Sequence, residues 1–143
     1  MPTAADVLRA KSYQETYHVT PDSTVFDAIR LMADKGIGAL IVLQDGKLAG
    51  MFSERDYTRK IALMDRSSRN TTVADIMTTV LTTVTPTTSI EACLHLMTDK
   101  HIRHLPIVED DQLLGMLSIG DLVKTMINEQ QKMIEQLQSY ITG

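Results

Sequence analysis

One cysteine, Cys93, stands among 143 residues. No disulfide can therefore form within the chain, and a reducing compartment suits it. Aromatic side chains are scarce, four Tyr and two Phe, which leaves few platforms on which bases could stack. The net charge of −4 disfavours nonspecific binding to phosphate backbones, so no nucleic-acid partner is expected. Long apolar runs are missing too: the stretch from Ile37 to Leu43 is interrupted by Gly38 and is far too short to span a bilayer, so no membrane partner is expected. The opening MPTAADVLRAK lacks the apolar core of a signal peptide. What is there, 43% apolar and 22% charged residues, is ordinary for a globular domain. The expectation is a cytoplasmic domain that buries roughly two-thirds of the surface its unfolded chain exposes.

The chain repeats itself. Residues 19–57 align without a gap on 84–122, with fifteen of thirty-nine positions identical. Val19-Thr20-Pro21 falls on Val84-Thr85-Pro86, Leu31-Met32 on Leu96-Met97, and Gly50-Met51 on Gly115-Met116. Ser53 and Asp56 fall on Ser118 and Asp121. Such self-similarity marks a duplicated structural unit. The boundaries implied are a first unit with its lead-in at 1–64, a joint at 65–72, a second unit at 73–125, and a tail at 126–143.

Each unit reads β-α-β-β-α, which gives an α+β fold with helices covering one face of each sheet. A short strand ends at Val-Thr-Pro, where proline stops strand pairing. Val25, Ala28, Ile29 and Met32, matched by Ile90, Cys93, Leu94 and Met97, form one apolar stripe of an amphipathic helix. Thr88 with Glu91 suggests a capping box for the second copy. Then come an apolar strand (ALIVL or LPIV), a polar turn (QDGK or EDDQ), a second strand (LAGMF or LLGML), and a helix after Ser-x-x-Asp. In the tail, Met126, Gln130, Met133, Leu137 and Tyr140 recur at alternating spacings of four and three. That stripe packs either on its own domain or on a partner helix.

Ser-x-x-Asp admits two readings. It is a capping box, worth ~1 kcal/mol. It is also a carboxylate able to accept bonds from both cis hydroxyls of a ribose, beside a helix start that favours phosphate. One serine can serve both. Cys93, His95, His101 and His104 do not form a metal site on this reading, because Cys93 belongs to the apolar stripe and 101–104 leads into a strand whose alternate side chains diverge. The nine methionines read as core filler. No nucleophile stands beside a base and no P-loop occurs, so no enzyme is expected.

With GALIV, RHLPIV and the two Gly-Met-x-Ser-x-x-Asp junctions in this order, the chain from Val7 to about Lys124 resembles a tandem cystathionine-β-synthase (CBS) domain pair, or Bateman module. It is similar in particular to small stand-alone bacterial proteins made of one such pair. The resemblance implies two units packed through their sheets with pseudo-twofold symmetry, and two clefts of a kind that commonly binds adenosine-containing ligands (AMP, ADP, ATP, NAD or S-adenosylmethionine); an adenine nucleotide, AMP, ADP, ATP or NAD, is the expectation here. It implies no metal, and it implies a homodimer acting on a regulated protein that the sequence does not name. A ligand-free dimeric scaffold and a nucleotide-processing enzyme are the alternatives.

The same resemblance distributes the site residues. One cleft is expected to gather Ser53, Arg55, Asp56, Ile102, Arg103 and His104, with Thr82 and Thr83 beside the base. The other is expected to gather Ser118, Asp121, Ile37 and Gly38, with Lys11, Tyr17 and His18 beside the base. Tyr13 stands where the family leads one to expect Gly. Arg55, Arg59, Lys60, Arg66 and Arg69 cluster after the first motif, so the Asp56 cleft is expected to be the tighter, phosphate-demanding site.

Overall fold

The repeat in the sequence returns in the hydrogen bonding. A computed structural model describes residues 1–11 and 16–142; Tyr13 lies outside the described residues. Helix α1 (Ala4–Ala10) leads into the first unit: β1 (His18–Val19), α2 (Val25–Lys35), β2 (Ala39–Gln44), β3 (Lys47–Ser53) and α3 (Glu54–Tyr57), continued by a π-helical turn over Thr58–Ala62. Helix α4 (Val73–Ile76) leads into the second: α5 (Ile90–Lys100), β4 (His104–Glu109), β5 (Gln112–Ser118) and α6 (Ile119–Thr142). The fold is α+β, with a β1-β2-β3 sheet and a β4-β5 sheet.

Strand register copies itself from one unit to the other. Ala39 lies opposite Ser53 and Val42 opposite Gly50, while His104 lies opposite Ser118 and Ile107 opposite Gly115. Both hairpins close on two residues with positive φ, Asp45-Gly46 and Asp110-Asp111, the backbone shape that matches strand twist. The opening strand of the second unit, expected before Pro86, is reduced to one parallel bridge between Val84 and Ile107. In the first unit the Ile41 N–H donates to the Tyr17 carbonyl. The equivalent of Ile41 is Pro106, which has no N–H to give, and the ladder shortens.

Helix starts follow local chemistry. Thr24 caps α2 by accepting from the Asp27 N–H. The expected Thr88–Glu91 box at α5 is not formed: Ser89 is the cap, accepting from Ala92. The Thr88 hydroxyl is already taken by the Thr85 N–H at 3.1 Å. Helices α2 and α5 each end on a left-handed residue, Gly36 at φ 64° and His101 at φ 55°.

The two lead-in helices are exchanged. Ala4 and Val7 of α1 are buried in the core of the second unit, with Ile90, Cys93, Leu105, Leu117 and Leu122. Val73 and Ile76 of α4 are buried in the core of the first, with Leu40, Phe52 and Ile61. The docking bonds match one for one. Ala4 and Ala5 donate to the Thr88 and Pro86 carbonyls at 2.8 and 3.0 Å; Val73 and Ala74 donate to those of Ser23 and Pro21 at 2.8 and 2.9 Å. Packing thus crosses the chain order of the units, and β3 meets β5 between them.

The tail does not fold back. Met126 still packs on the second core, but every residue from Gln131 to Thr142 is exposed.

Candidate functional site

Two cavities lie between the units, and each takes one Ser-x-x-Asp. The larger, about 750 Å³, is walled by Lys11 and Tyr17 from the lead-in, Ile37 and Gly38 from the approach to β2, and Ser118 and Asp121 at the β5–α6 junction. The smaller, about 570 Å³, is walled by Ser53, Arg55 and Asp56 at the β3–α3 junction, by Thr82, and by Ile102, Arg103 and His104 leading into β4. His104, Gly38 and Ala39 border both cavities and form the partition between them.

Two expected residues line neither cavity. His18 and Thr83 are exposed; their neighbours Tyr17 and Thr82 face the cavities, and successive side chains on an extended chain point to opposite sides.

Both motifs form capping boxes. The Asp56 N–H donates to Ser53 Oγ at 3.3 Å, and the Ser53 N–H donates to Asp56 Oδ2 at 3.0 Å. In the second copy the Asp121 N–H donates to Ser118 Oγ at 3.1 Å, and the Ser118 N–H donates to Asp121 Oδ2 at 2.8 Å.

Beyond the cap the two aspartates diverge. Asp56 has both oxygens engaged: Oδ2 also accepts from Ser53 Oγ at 3.1 Å, while Oδ1 accepts from Thr78 Oγ1 at 2.9 Å and faces Lys60 Nζ at 3.3 Å. Asp121 pairs with Lys11 Nζ at 3.0 Å through the same Oδ2 that caps α6. Among the described residues its Oδ1 has no partner, and its side chain is 22% exposed against 11% for Asp56.

The cations are distributed differently from the sequence expectation. Of the five clustered after the first motif, only Arg55 lines the smaller cavity, and its guanidinium donates to the His101 carbonyl at the end of α5. Lys60 is held by the Ile76 carbonyl at 2.9 Å. Arg69 lies over the Phe26 ring, 3.9 Å from its centroid. Arg59 and Arg66 are exposed and border neither cavity. The larger cavity instead has three lysines, Lys11, Lys35 and Lys124. Lys35 lies over Tyr17, 5.2 Å from the ring centroid.

The family model for the CBS domain matches residues 3–63 and again 73–128. The chain belongs to the CBS-domain family. It is 42% identical to the mitochondrial CBS domain-containing protein CBSX3 of Arabidopsis thaliana, over 99% of this chain and 72% of that protein. The Bacillus subtilis CBS domain-containing protein YhcV is 37% identical over 78% of this chain and 79% of its own length. A solved CBS-domain structure from Burkholderia ambifaria superposes with a TM-score of 0.86 at 47% identity, covering 90% of this chain and 96% of that one. A CBS pair is generally a regulatory, ligand-binding module. Among the described residues no helix is long and apolar enough to cross a membrane, and no cluster of His, Cys, Asp and Glu is placed to hold a metal ion.

In the larger cleft of the CBS pair a carboxylate is perturbed by its neighbours. Burial works against ionisation of Asp121, but the Ser118 N–H and the Lys11 ammonium outweigh it and hold the carboxyl below its ordinary range. Burial pushes the His104 imidazole down, with Lys11 and Arg103 adding to the shift and Asp121 and Glu54 opposing it. The partition between the clefts is therefore kept neutral. Sequence reasoning missed Lys35, Lys124 and Thr78. Lys35 follows the amphipathic stripe of α2 and reads as a solvated helix end; Thr78 reaches Asp56 only because α4 is exchanged.

Proposed function

We propose that this chain is a regulatory sensor of adenine nucleotides, AMP, ADP, ATP or NAD, acting in the cytoplasm, and not an enzyme. The observation that carries the reading is the Asp121 cleft. There a carboxylate with an oxygen uncommitted among the described residues, suited to a ribose diol, faces a wall bearing three lysines, suited to phosphate. Ser118 and Asp121 hold the sugar, Lys11, Lys35 and Lys124 meet the phosphates, and Ile37, Gly38 and Tyr17 flank the base. Ser53, Asp56, Thr82, Ile102, Arg103 and His104 form the second site, which fills after the first, because a ribose there must displace Lys60 or Thr78 from Asp56. Occupancy biases the packing of the two units, and two paired copies pass that change to a regulated protein. A ligand shifts such an equilibrium only by its differential affinity for the two arrangements.

Titration calorimetry with AMP, ATP and NAD tests the reading. One strong site should appear, lost in Asp121→Ala and retained in Asp56→Ala. Binding abolished by Asp56→Ala and kept by Asp121→Ala would reverse the ranking. Absence of heat and of any melting shift with all three nucleotides would leave the ligand-free scaffold, since a binder gains ~2.7 kcal/mol at a hundredfold excess over Kd.

A further inference from the structure

From Val123 onward α6 carries an apolar face that covers nothing among the described residues. Val123, Ile127, Met133, Ile134, Leu137, Tyr140 and Ile141 are between 44% and 88% exposed. Together they present on the order of 800 Å², which is one partner's share of a stable interface and more than monomers usually leave open. Their positions fit one heptad register. Ile127, Ile134 and Ile141 occupy a; Val123, Gln130 and Leu137 occupy d; Met126, Met133 and Tyr140 flank them at g.

We propose that this face is covered by α6 of a second copy, in a parallel, in-register two-stranded coiled coil. Isoleucine at every a position, with Leu137 at d, favours two parallel strands. The single polar residue of the seam, Gln130, meets its own copy only in that arrangement, where each side-chain amide can donate to the other. An antiparallel or staggered pair sets it against an aliphatic side chain and leaves it unsatisfied. The flanks also select against a charged partner. Positions e and g carry one charge, Lys124, and the outer face pairs Glu129 with Lys132 at 3.6 Å. Nothing there attracts an acidic or basic surface, and nothing repels an identical helix. The proposal rests on the homodimer named above and deepens it by giving the surface and the direction.

Cysteine scanning on the full chain tests it, with Cys93→Ser as background. Ile127→Cys and Ile141→Cys should each give a disulfide-linked dimer with itself on mild oxidation. Cross-linking only when the two variants are mixed would overturn the parallel arrangement. Light scattering gives the second readout: the mass should fall from twice 15.9 kDa to 15.9 kDa in Ile134→Glu/Leu137→Glu. Both residues lie beyond either core, so the module stays folded and its nucleotide-induced melting shift stays unchanged. A dimer that survives the double substitution without self-cross-linking would sink the coiled coil while leaving nucleotide sensing and another pairing surface standing. A wild-type mass of 15.9 kDa would overturn both the coiled coil and the homodimer.

Discussion

Asp56 and Asp121 begin from the same four-residue motif and end in different chemistry. Each caps its helix through Oδ2, and the difference lies in what reaches the other oxygen. At Asp56, Thr78 fills it and Lys60 neutralises it; at Asp121 the corresponding oxygen is open to the cavity among the described residues. Replacing each by Asn keeps a capping side chain and removes the charge. Asp121→Asn is expected to weaken nucleotide binding by roughly tenfold to a hundredfold, the worth of a bond to a charged acceptor, and to lower the melting temperature as well, because it also removes the ion pair with Lys11. Asp56→Asn is expected to cost ~1 kcal/mol of stability, since Lys60 is 43% exposed and keeps the Ile76 carbonyl, with a smaller effect on binding. Parallel calorimetry and thermal melting on the two variants check the split. His104 adds a pH dependence. Its folded pKa is depressed from 6.5 by burial, so below that value the unfolded chain binds more protons. Its contribution to stability is present above pH 6.5 and lost as pH falls through the folded value. Melting curves should show His104→Gln losing less stability than the wild type on acidification below pH 6.5.

At the scale of elements, two glycines record where the exchanged helices pass. A Cβ on Gly50 would come within 2.8 Å of the Thr78 carbonyl and 2.9 Å of the Met77 sulfur. At the equivalent Gly115 it would meet a methyl of Leu8 at 2.7 Å. The first obstacle includes backbone, held by reciprocal 2.9 Å bonds between Met51 and Thr78; the second is the end of a side chain that can turn aside. Gly50→Ala is therefore expected to cost more than Gly115→Ala, about 2 kcal/mol or more against about 1 kcal/mol, as denaturant midpoints at constant m-value would report. This asymmetry also shows what could be read from the sequence. The duplication, both hairpins, the stripes of α2 and α5, and the two Ser-x-x-Asp capping boxes were legible, because each depends on residues a few positions apart; the Thr88–Glu91 box was not, because Thr85 claims the Thr88 hydroxyl. The exchange of α1 and α4 was not, since nothing in Ala4–Ala10 or Val73–Ile76 says which of two similar cores will receive it. The surroundings of the cations were not legible either: Lys60 and Arg69 are engaged by the Ile76 carbonyl and the Phe26 ring, contacts distant in sequence, and Lys35 borders the larger cleft from the other unit.

For the whole molecule, the exchange means that neither unit is completed by its own stretch of chain. The second core includes Ala4 and Val7, both essentially inaccessible to solvent, and Leu8 covers Gly115. Lys11 then anchors the end of the lead-in to β5 through the Met116 carbonyl at 2.9 Å. A chain lacking residues 1–10 should consequently lose protection far from the cut. Amide hydrogen exchange is expected to rise in α5, β4 and β5, whose packing loses Val7, and to stay near wild type in α2, β2 and β3, whose lead-in is α4. Local opening of this kind follows the missing buried contacts rather than proximity in sequence. Faster exchange confined to 16–57 would mean that α1 supports its sequential neighbour and that the exchange is wrong. The same deletion removes Val7 and Ala10 from the wall of the larger cleft, so nucleotide protection should fall in step with the exposure of β5. The lead-in, the approach to β2 and the start of α6 all border that one cavity. A ligand that bridges them draws the exchanged helix and both units together, and in the intact chain nucleotide should slow exchange in α1 and β2 at once.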